Sequence, residues 1–486
     1  MATFATLSTE LQDIIIADLA LKDLCHLSRT CKANRALTLP LIYRAITLSW
    51  SKKNESQANA AVTLLVNILE NPFLASLVEQ LHFLTDGSFS IRTRLGSADM
   101  IPDTSLELRK QKQEDIPEAA LYQALERLDR LNLSAWKEEV RSGGLDASIA
   151  VLILCCPKLK VLEIGVDLLV GNTLLPRAFR HLLSGKEPSS LERIHLAGDM
   201  GEWCIAPQEF KLDMALSLPC FYLPAIQELK LCLSDLTFAN DETRGEHVEE
   251  PWLMVAPLPT EPPSALHLNR LHLVHSLARP AILTAILSNT PNLCHLDYEF
   301  DAWGEGKDPI LDASELARAI TCVRTTLKHL RIRITPFLDR DRQILENLPA
   351  VWTSGALGSF ATFHALRYLE VTPVILYGQI YWEENEPPLG SMLPASLETL
   401  CLTDDLQSVC VNNTWWGLTG NSFYKMVEHL IVRDRANAVP KLKELVMDVP
   451  DSLGFDDDAW RPAHTDELRK RCEIQGLRCT VSEQYP

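Results

Sequence analysis

The chain has 486 residues, a formal net charge of −18 and a pI of about 5.2. Hydrophobic residues make up 47% and charged residues 23%, the balance of a folded chain rather than a disordered one. The acidic balance speaks against nucleic acid as the main partner, since phosphate binding needs clustered Lys and Arg. A chain this long exceeds one ordinary core, so two domains or an elongated repeat array are expected. Its 13 cysteines form no CxxC pair, and reduced thiols in a cytoplasmic or nuclear protein are the expectation. The start, MATFATLSTELQD, has no basic leader segment, and no run of apolar residues is long enough to predict a membrane span.

In chain order, the first dense block fills Leu7 to Ile46. Leu11, Ile14, Ile15 and Leu19 fall at i, i+3, i+4 and i+8, one face of a helix. Ser8 or Thr9 can cap its start. Asp23 interrupts the pattern, and Leu24 and Leu27 begin a second helix. Asn34 and Arg35 lead to Leu37, and Pro40 is expected to end that stretch. The block holds more apolar side chains than so short a unit can bury in itself. Another part of the chain, or a partner's groove, must cover the remainder.

Beyond it one hexamer recurs, reading apolar-x-x-apolar-x-apolar. Its copies are LKVLEI (159–164), LERIHL (191–196), IQELKL (226–231), LNRLHL (268–273), LCHLDY (293–298), LKHLRI (327–332), LRYLEV (366–371), LETLCL (397–402) and LKELVM (442–447). VEQLHF (78–83) and YRAITL (43–48) are weaker, earlier members. Alternation along a strand turns the fourth and sixth residues inward and the fifth outward. Helical stretches at 146–155, 281–287 and 316–323 precede strands, and a helix–strand unit buries its apolar face only by stacking on its neighbours. Leucine supplies 81 residues, far above ordinary usage, as such stacking requires.

Three residues past each hexamer stand Asp167, Asp199, Ser234, Ser276, Asp301, Thr335, Val374, Asp405 and Pro450. Most are short polar side chains able to bond the backbone of an adjacent turn. Residues 85–118, and the acidic, Pro-rich 237–266, read as surface insertions, and the acidic triplet 456–458 as a solvated tip.

No phosphate loop, HExxH motif or nucleophile constellation is present, so no catalytic residue, cofactor or metal is expected. His195 and His272 share the outward slot, but an intervening repeat makes a direct pair between them unfavourable. Asp297 and Glu370 do not fall on adjacent repeats, nor does Glu163, so no carboxylate dyad is supported. The outward fifth position is the best candidate surface: Glu163, His195, Lys230, His272, Asp297, Arg331, Glu370, Cys401 and Val446, flanked by Glu299, Arg333, Thr372 and Thr403. Its mixed charges suit a protein partner better than a polyanion.

The segment Leu7-x-x-Glu10-Leu11, Ile14-Ile15, Leu19, Asp23-Leu24, Leu27-Ser28, Cys31-Lys32 and Leu41-Ile42-Tyr43-Arg44 resembles an F-box, with Ser8 where that pattern has Pro. The hexamer resembles the strand of a leucine-rich repeat. From about residue 70 onward, phrases such as "ILSNTPNLCHLDYEF", "LPASLETLCLTDD" and "DELRKRCEIQGLRCTV" are similar to fungal F-box proteins with irregular leucine-rich repeats.

The resemblance implies an α/β chain: a helical F-box at 3–48, a connecting helical region with early repeats at 49–158, and a repeat solenoid at 159–486. The solenoid is expected as a horseshoe of parallel strands with outer helices. The implied function is substrate recognition in an SCF-type ubiquitin ligase. Leu7, Leu11, Ile14, Ile15, Leu19, Leu24 and Leu27 would include the contacts to a Skp-family adaptor, which links to a cullin. Glu163, His195, Lys230, His272, Asp297, Arg331, Arg333 and Glu370 would face a protein substrate. The alternative is a repeat scaffold whose F-box-like block only caps the solenoid.

Overall fold

All eleven hexamers fold as strands, and each strand begins at the third residue of its hexamer. The computed structural model describes residues 4, 7–50, 58–85, 136, 145–169, 174–184, 189–196, 214–233, 262–276, 278–303, 311–337, 353–378, 387–403, 420–450 and 462–484. The expected insertions at 85–118 and 237–266 lie almost wholly outside the described residues, as does the triplet at 456–458.

The chain forms two units, one of Met1–Ile205 with Ala215–Ile226, the other of Ala206–Met214 with Gln227–Pro486. In the first, β1 (Ala45–Trp50), β2 (Gln80–Thr85), β3 (Val161–Ile164) and β4 (Arg193–Leu196) pair in that order, all parallel. Among the described residues, eight strands of the second unit pair parallel in one sheet, also in chain order: β5 (Glu228–Leu231), β6 (Arg270–Ser276), β7 (His295–Trp303), β8 (His329–Phe337), β9 (Tyr368–Val371), β10 (Thr399–Thr403), β11 (Glu444–Pro450) and β12 (Arg478–Gln484). The last of these falls outside the expected hexamers. A two-residue pairing of Leu311–Asp312 with Thr353–Ser354 stands apart from this sheet.

The period-2 pattern sets the core. In β7, Leu296 and Tyr298 are buried, and in β8 so are Leu330 and Ile332. Tyr298 keeps its hydroxyl satisfied by donating to the Ala278 carbonyl at 2.8 Å. The hexamer's second residue makes a repeated rung: its carbonyl accepts two N–H groups of the next strand. Asn269 takes Cys294 and His295, and Lys328 takes Arg367 and Tyr368. These rungs hold successive copies in one register despite spacings of 25 to 81 residues.

Helices cover the apolar side. Leu145–Cys155 buries residues along most of its length, Ala147 to Ile153, and Pro280–Leu287 buries Ile282, Leu283, Ile286 and Leu287. Pro280 sits in the first turn, where its missing N–H costs nothing. Ala313–Thr321 is capped by Asp312, whose carboxylate accepts from the Ser314 and Glu315 N–H groups at 2.8 and 3.0 Å.

The polar position after the hexamer does its expected work at Ser276. A bulge in β6 between Leu273 and Ser276 puts His275 at a φ of 45°. Ser276 Oγ then donates to the Leu233 carbonyl of the preceding repeat at 3.2 Å and accepts from Ala278 N at 3.1 Å. Ser276→Ala leaves the buried Leu233 carbonyl without this donor. An expected loss of about 1 kcal/mol is measurable by urea unfolding. Val374 instead enters the helix Pro373–Tyr377 and is buried. Thr335 lies within β8, while Asp199, Ser234 and Asp405 lie outside the described residues.

The N-terminal block forms α1 (Thr9–Ala17), α2 (Leu21–Ser28) and α3 (Lys32–Arg44). Two expectations need correction. Pro40 does not end the third helix but sits inside it. One backbone hydrogen bond is forgone, and burial of Thr38, whose hydroxyl donates to the Asn34 carbonyl at 2.8 Å, helps hold that turn. Ser8 stands at the N-cap of α1 without a side-chain capping bond, whereas α3 is capped by Cys31 Sγ. No helix among the described residues is long and apolar enough to cross a membrane.

Candidate functional site on the outward sheet face

Parallel pairing turns the hexamer's fifth position into a continuous row. In the first unit His82, Glu163 and His195 stand side by side, and His82 Nδ1 lies 2.8 Å from Glu163 Oε2. In the second unit the row reads Lys230, His272, Asp297, Arg331, Glu370, Cys401 and Val446. The structure therefore sets the expected slot residues of each unit next to one another in register. Cys401 is buried.

A second row runs beside the first, from the hexamer's third position: Arg270, His295, His329 and Tyr368. Residues i and i+2 of a strand share a face. That periodicity was enough to point to His295, His329 and Tyr368, but weight placed on the fifth position alone passes over them. The rings stack across strands: His295 on His329 at 3.8 Å and 7°, His329 on Tyr368 at 4.1 Å and 4°, and His272 near His295 at 4.8 Å and 45°. Strands about 4.8 Å apart bring side chains of equal register to this separation.

Two carboxylates organise the face. Asp297 receives His272 Nδ1 on Oδ2 at 2.8 Å, with His295 Nε2 at 3.1 Å and His329 Nε2 at 3.2 Å from Oδ1. At Oδ1 the contact depends on the ring tautomer: with Nε2 protonated His295 donates to Asp297, and with Nε2 unprotonated the two buried atoms face each other as unbonded acceptors. Burial works to raise the Asp297 carboxyl, but His272 and the other two imidazoles outweigh it and hold it well below the usual carboxylate range.

Glu370 is 4% exposed and takes three donors: Arg331 Nε at 2.9 Å, Arg333 Nε at 2.5 Å and the Tyr368 hydroxyl at 2.6 Å. Burial raises its carboxyl, yet Tyr368, Arg333 and Arg331 pull it below its ordinary value. Burial and the adjacent Glu370 carboxylate push the Tyr368 phenol up, so it stays a donor. Beside both networks opens a cavity of about 180 Å³ whose lining includes Lys230, His272, Asp297, Glu299, Arg331 and Arg333.

The expected adaptor contacts divide. Leu11, Ile14 and Ile15 are exposed at 49%, 60% and 42%, and Leu21 at 58%. Leu7, Leu19 and Leu27 are half-buried. Leu24 is buried at 6%, together with Ile16 at 1%, so these two face inward. The helix thus turns Ile16 inward and leaves most of the Leu11–Ile14–Ile15 face uncovered.

In class, each unit is an α/β fold of parallel strands in chain order, and the second carries a charged, histidine-rich sheet face. No protein-family model matches the chain, and no curated protein matches it either.

Proposed function

We propose that this chain is a substrate-recognition subunit of an SCF-type ubiquitin ligase. The N-terminal helices would dock a Skp-family adaptor, and the sheet face would hold a protein substrate. The observation that carries this reading is the uncovered apolar set Leu11, Ile14, Ile15 and Leu21 on α1 and α2. Burying the exposed half of each under a partner would contribute about 1 kcal/mol per residue. The order of motifs along the chain supports it, a helical block first and strand repeats after. The outward face suits a protein ligand, since its cations and carboxylates alternate within a few residues. The chain's own contribution is then proximity and orientation rather than bond chemistry.

A second reading, a helical cap on the sheet, is favoured by continuity. Helix α3 runs directly into β1, and the Arg44 carbonyl accepts Glu79 N at 2.9 Å just before β2.

Capture of a purified Skp-family adaptor separates the two. Wild type is expected to retain the adaptor, and Ile14→Asp combined with Ile15→Asp to lose it. Both positions are exposed, so far-UV circular dichroism and the unfolding midpoint are expected to stay unchanged. If wild type captures no adaptor, or the double variant captures as much, the receptor reading through this segment fails.

A further inference from the structure

Beside the adaptor and substrate reading, and independent of it, we infer that His272, His295 and Asp297 form a binding site for a zinc-class divalent metal ion. One ligand atom from each lies within 4.8 Å of the others. Two imidazole nitrogens and one carboxylate oxygen suit zinc better than calcium or magnesium, which prefer oxygen alone. Ligand atoms around a tetrahedral zinc ion stand about 3.4 Å apart. His272 Nδ1 lies 2.8 Å from Asp297 Oδ2 and His295 Nε2 3.1 Å from Asp297 Oδ1, so side-chain rotation about the carboxylate would have to bring the three ligand atoms from within 4.8 Å to that spacing.

A second observation points the same way. His295 Nε2 and Asp297 Oδ1 face each other, buried, at 3.1 Å and without a hydrogen bond. With the ring proton on the other nitrogen, Nε2 and Oδ1 are two acceptors facing each other. A cation taking both lone pairs would relieve that contact.

Ring geometry selects the ligands. His272 and His295 are tilted by 45°, so their nitrogens approach from different directions. His295 and His329 stack with planes parallel within 7°, and His329 is not one of the three residues whose ligand atoms cluster within 4.8 Å. His329 is therefore a positioning residue, stacked on His295 and 3.2 Å from Asp297 Oδ1.

Three protein ligands leave one position free. The cavity beside His272 and Asp297 supplies room for a fourth ligand, and its lining carries Lys230, Arg331 and Arg333 together with Glu228 and Glu299. His195, the other slot histidine weighed from sequence, is outside the set.

The test uses the full chain. Titration with Co²⁺ is expected to give a one-to-one component with visible absorption typical of nitrogen and oxygen ligands, displaced by Zn²⁺. A thiolate charge-transfer band would assign that component to cysteines and overturn the site. His295→Gln and Asp297→Asn are each expected to weaken the component by more than about 100-fold, since loss of an outer partner alone costs 10–100-fold. His195→Gln is expected to leave it unchanged. Absence of binding up to millimolar Co²⁺, or survival of the component in both site variants, would overturn the inference. A measurement on wild type avoids any folding defect of the variants. Saturating Zn²⁺ is expected to protect His272 and His295, but not His195, from diethylpyrocarbonate, read by peptide mass spectrometry. Unchanged modification of His272 and His295 would also overturn it.

Discussion

Glu370→Ala is expected to cost the second unit about 3 kcal/mol, the lower end for removing one partner of a buried ion pair. The carboxylate side chain is 5% exposed and faces Arg331 and Arg333, whose side chains are 33% and 24% exposed. Its loss leaves two guanidinium groups and the Tyr368 hydroxyl without their shared acceptor. The arginines retain some water, which is why the upper end is not expected. Hydrogen exchange read on peptides spanning 327–337 and 366–371 measures the change where it occurs. Wild-type protection of those peptides in the variant would show that the network contributes nothing.

The same residue sets an acid limb. Its folded value is depressed, so its contribution is fully present above the unfolded carboxyl value, about 4.3 for Glu. The contribution is lost as pH falls through the folded value. Wild type is therefore expected to lose this part of its stability only below about pH 4. Glu370→Gln keeps the side chain's shape and part of its hydrogen bonding. Its cost at neutral pH is expected to be smaller than that of Ala, with a shallower decline on acidification. Parallel acid titrations of wild type and variant would reject the assignment.

The second large effect belongs to the core. Leu296→Ala is expected to destabilise by about 3 kcal/mol, within the range for buried Leu-to-Ala changes. Leu296 is fully buried at the fourth hexamer position of β7, in register with Leu271 and Leu330. A cavity there has apolar neighbours on both adjacent strands and no route for water to fill it. Ile14→Ala removes a residue of similar size that is 60% exposed, and its expected cost is within about 0.5 kcal/mol. Urea unfolding of both variants compares the two directly. Equal costs would mean that the hexamer pattern does not mark the core.

Much of this arrangement was legible in the order of residues. The spacing apolar-x-x-apolar-x-apolar marks a strand because only a period of two places Leu296 and Tyr298 on one face and Asp297 on the other. Repetition then predicts stacking, since neither Leu271 nor Leu330 can be buried by its own repeat. The row from Lys230 to Glu370 follows from the same reasoning, one residue per copy. The last strand, Arg478–Gln484, escaped because LRCTV follows Gly476 and lacks the hexamer's leading apolar residue at the right distance.

Other features were settled only by the packed structure. Pro40 reads as a breaker by its backbone chemistry, yet the packing that buries Thr38 carries α3 past it. The helical period offered Ile14 and Ile15 as readily as Ile16. Burial in the folded chain, not the period, singles out Ile16. The pairing of Asp297 with three imidazoles and of Glu370 with Arg331 and Arg333 depends on register between strands whose paired residues are 25, 34 and 39 residues apart in sequence. Sequence by itself determined which side chains point out of each strand, because alternation is a local property of extended backbone. Which of them meet was decided by the inter-strand hydrogen bonds, which set register across loops of unequal length.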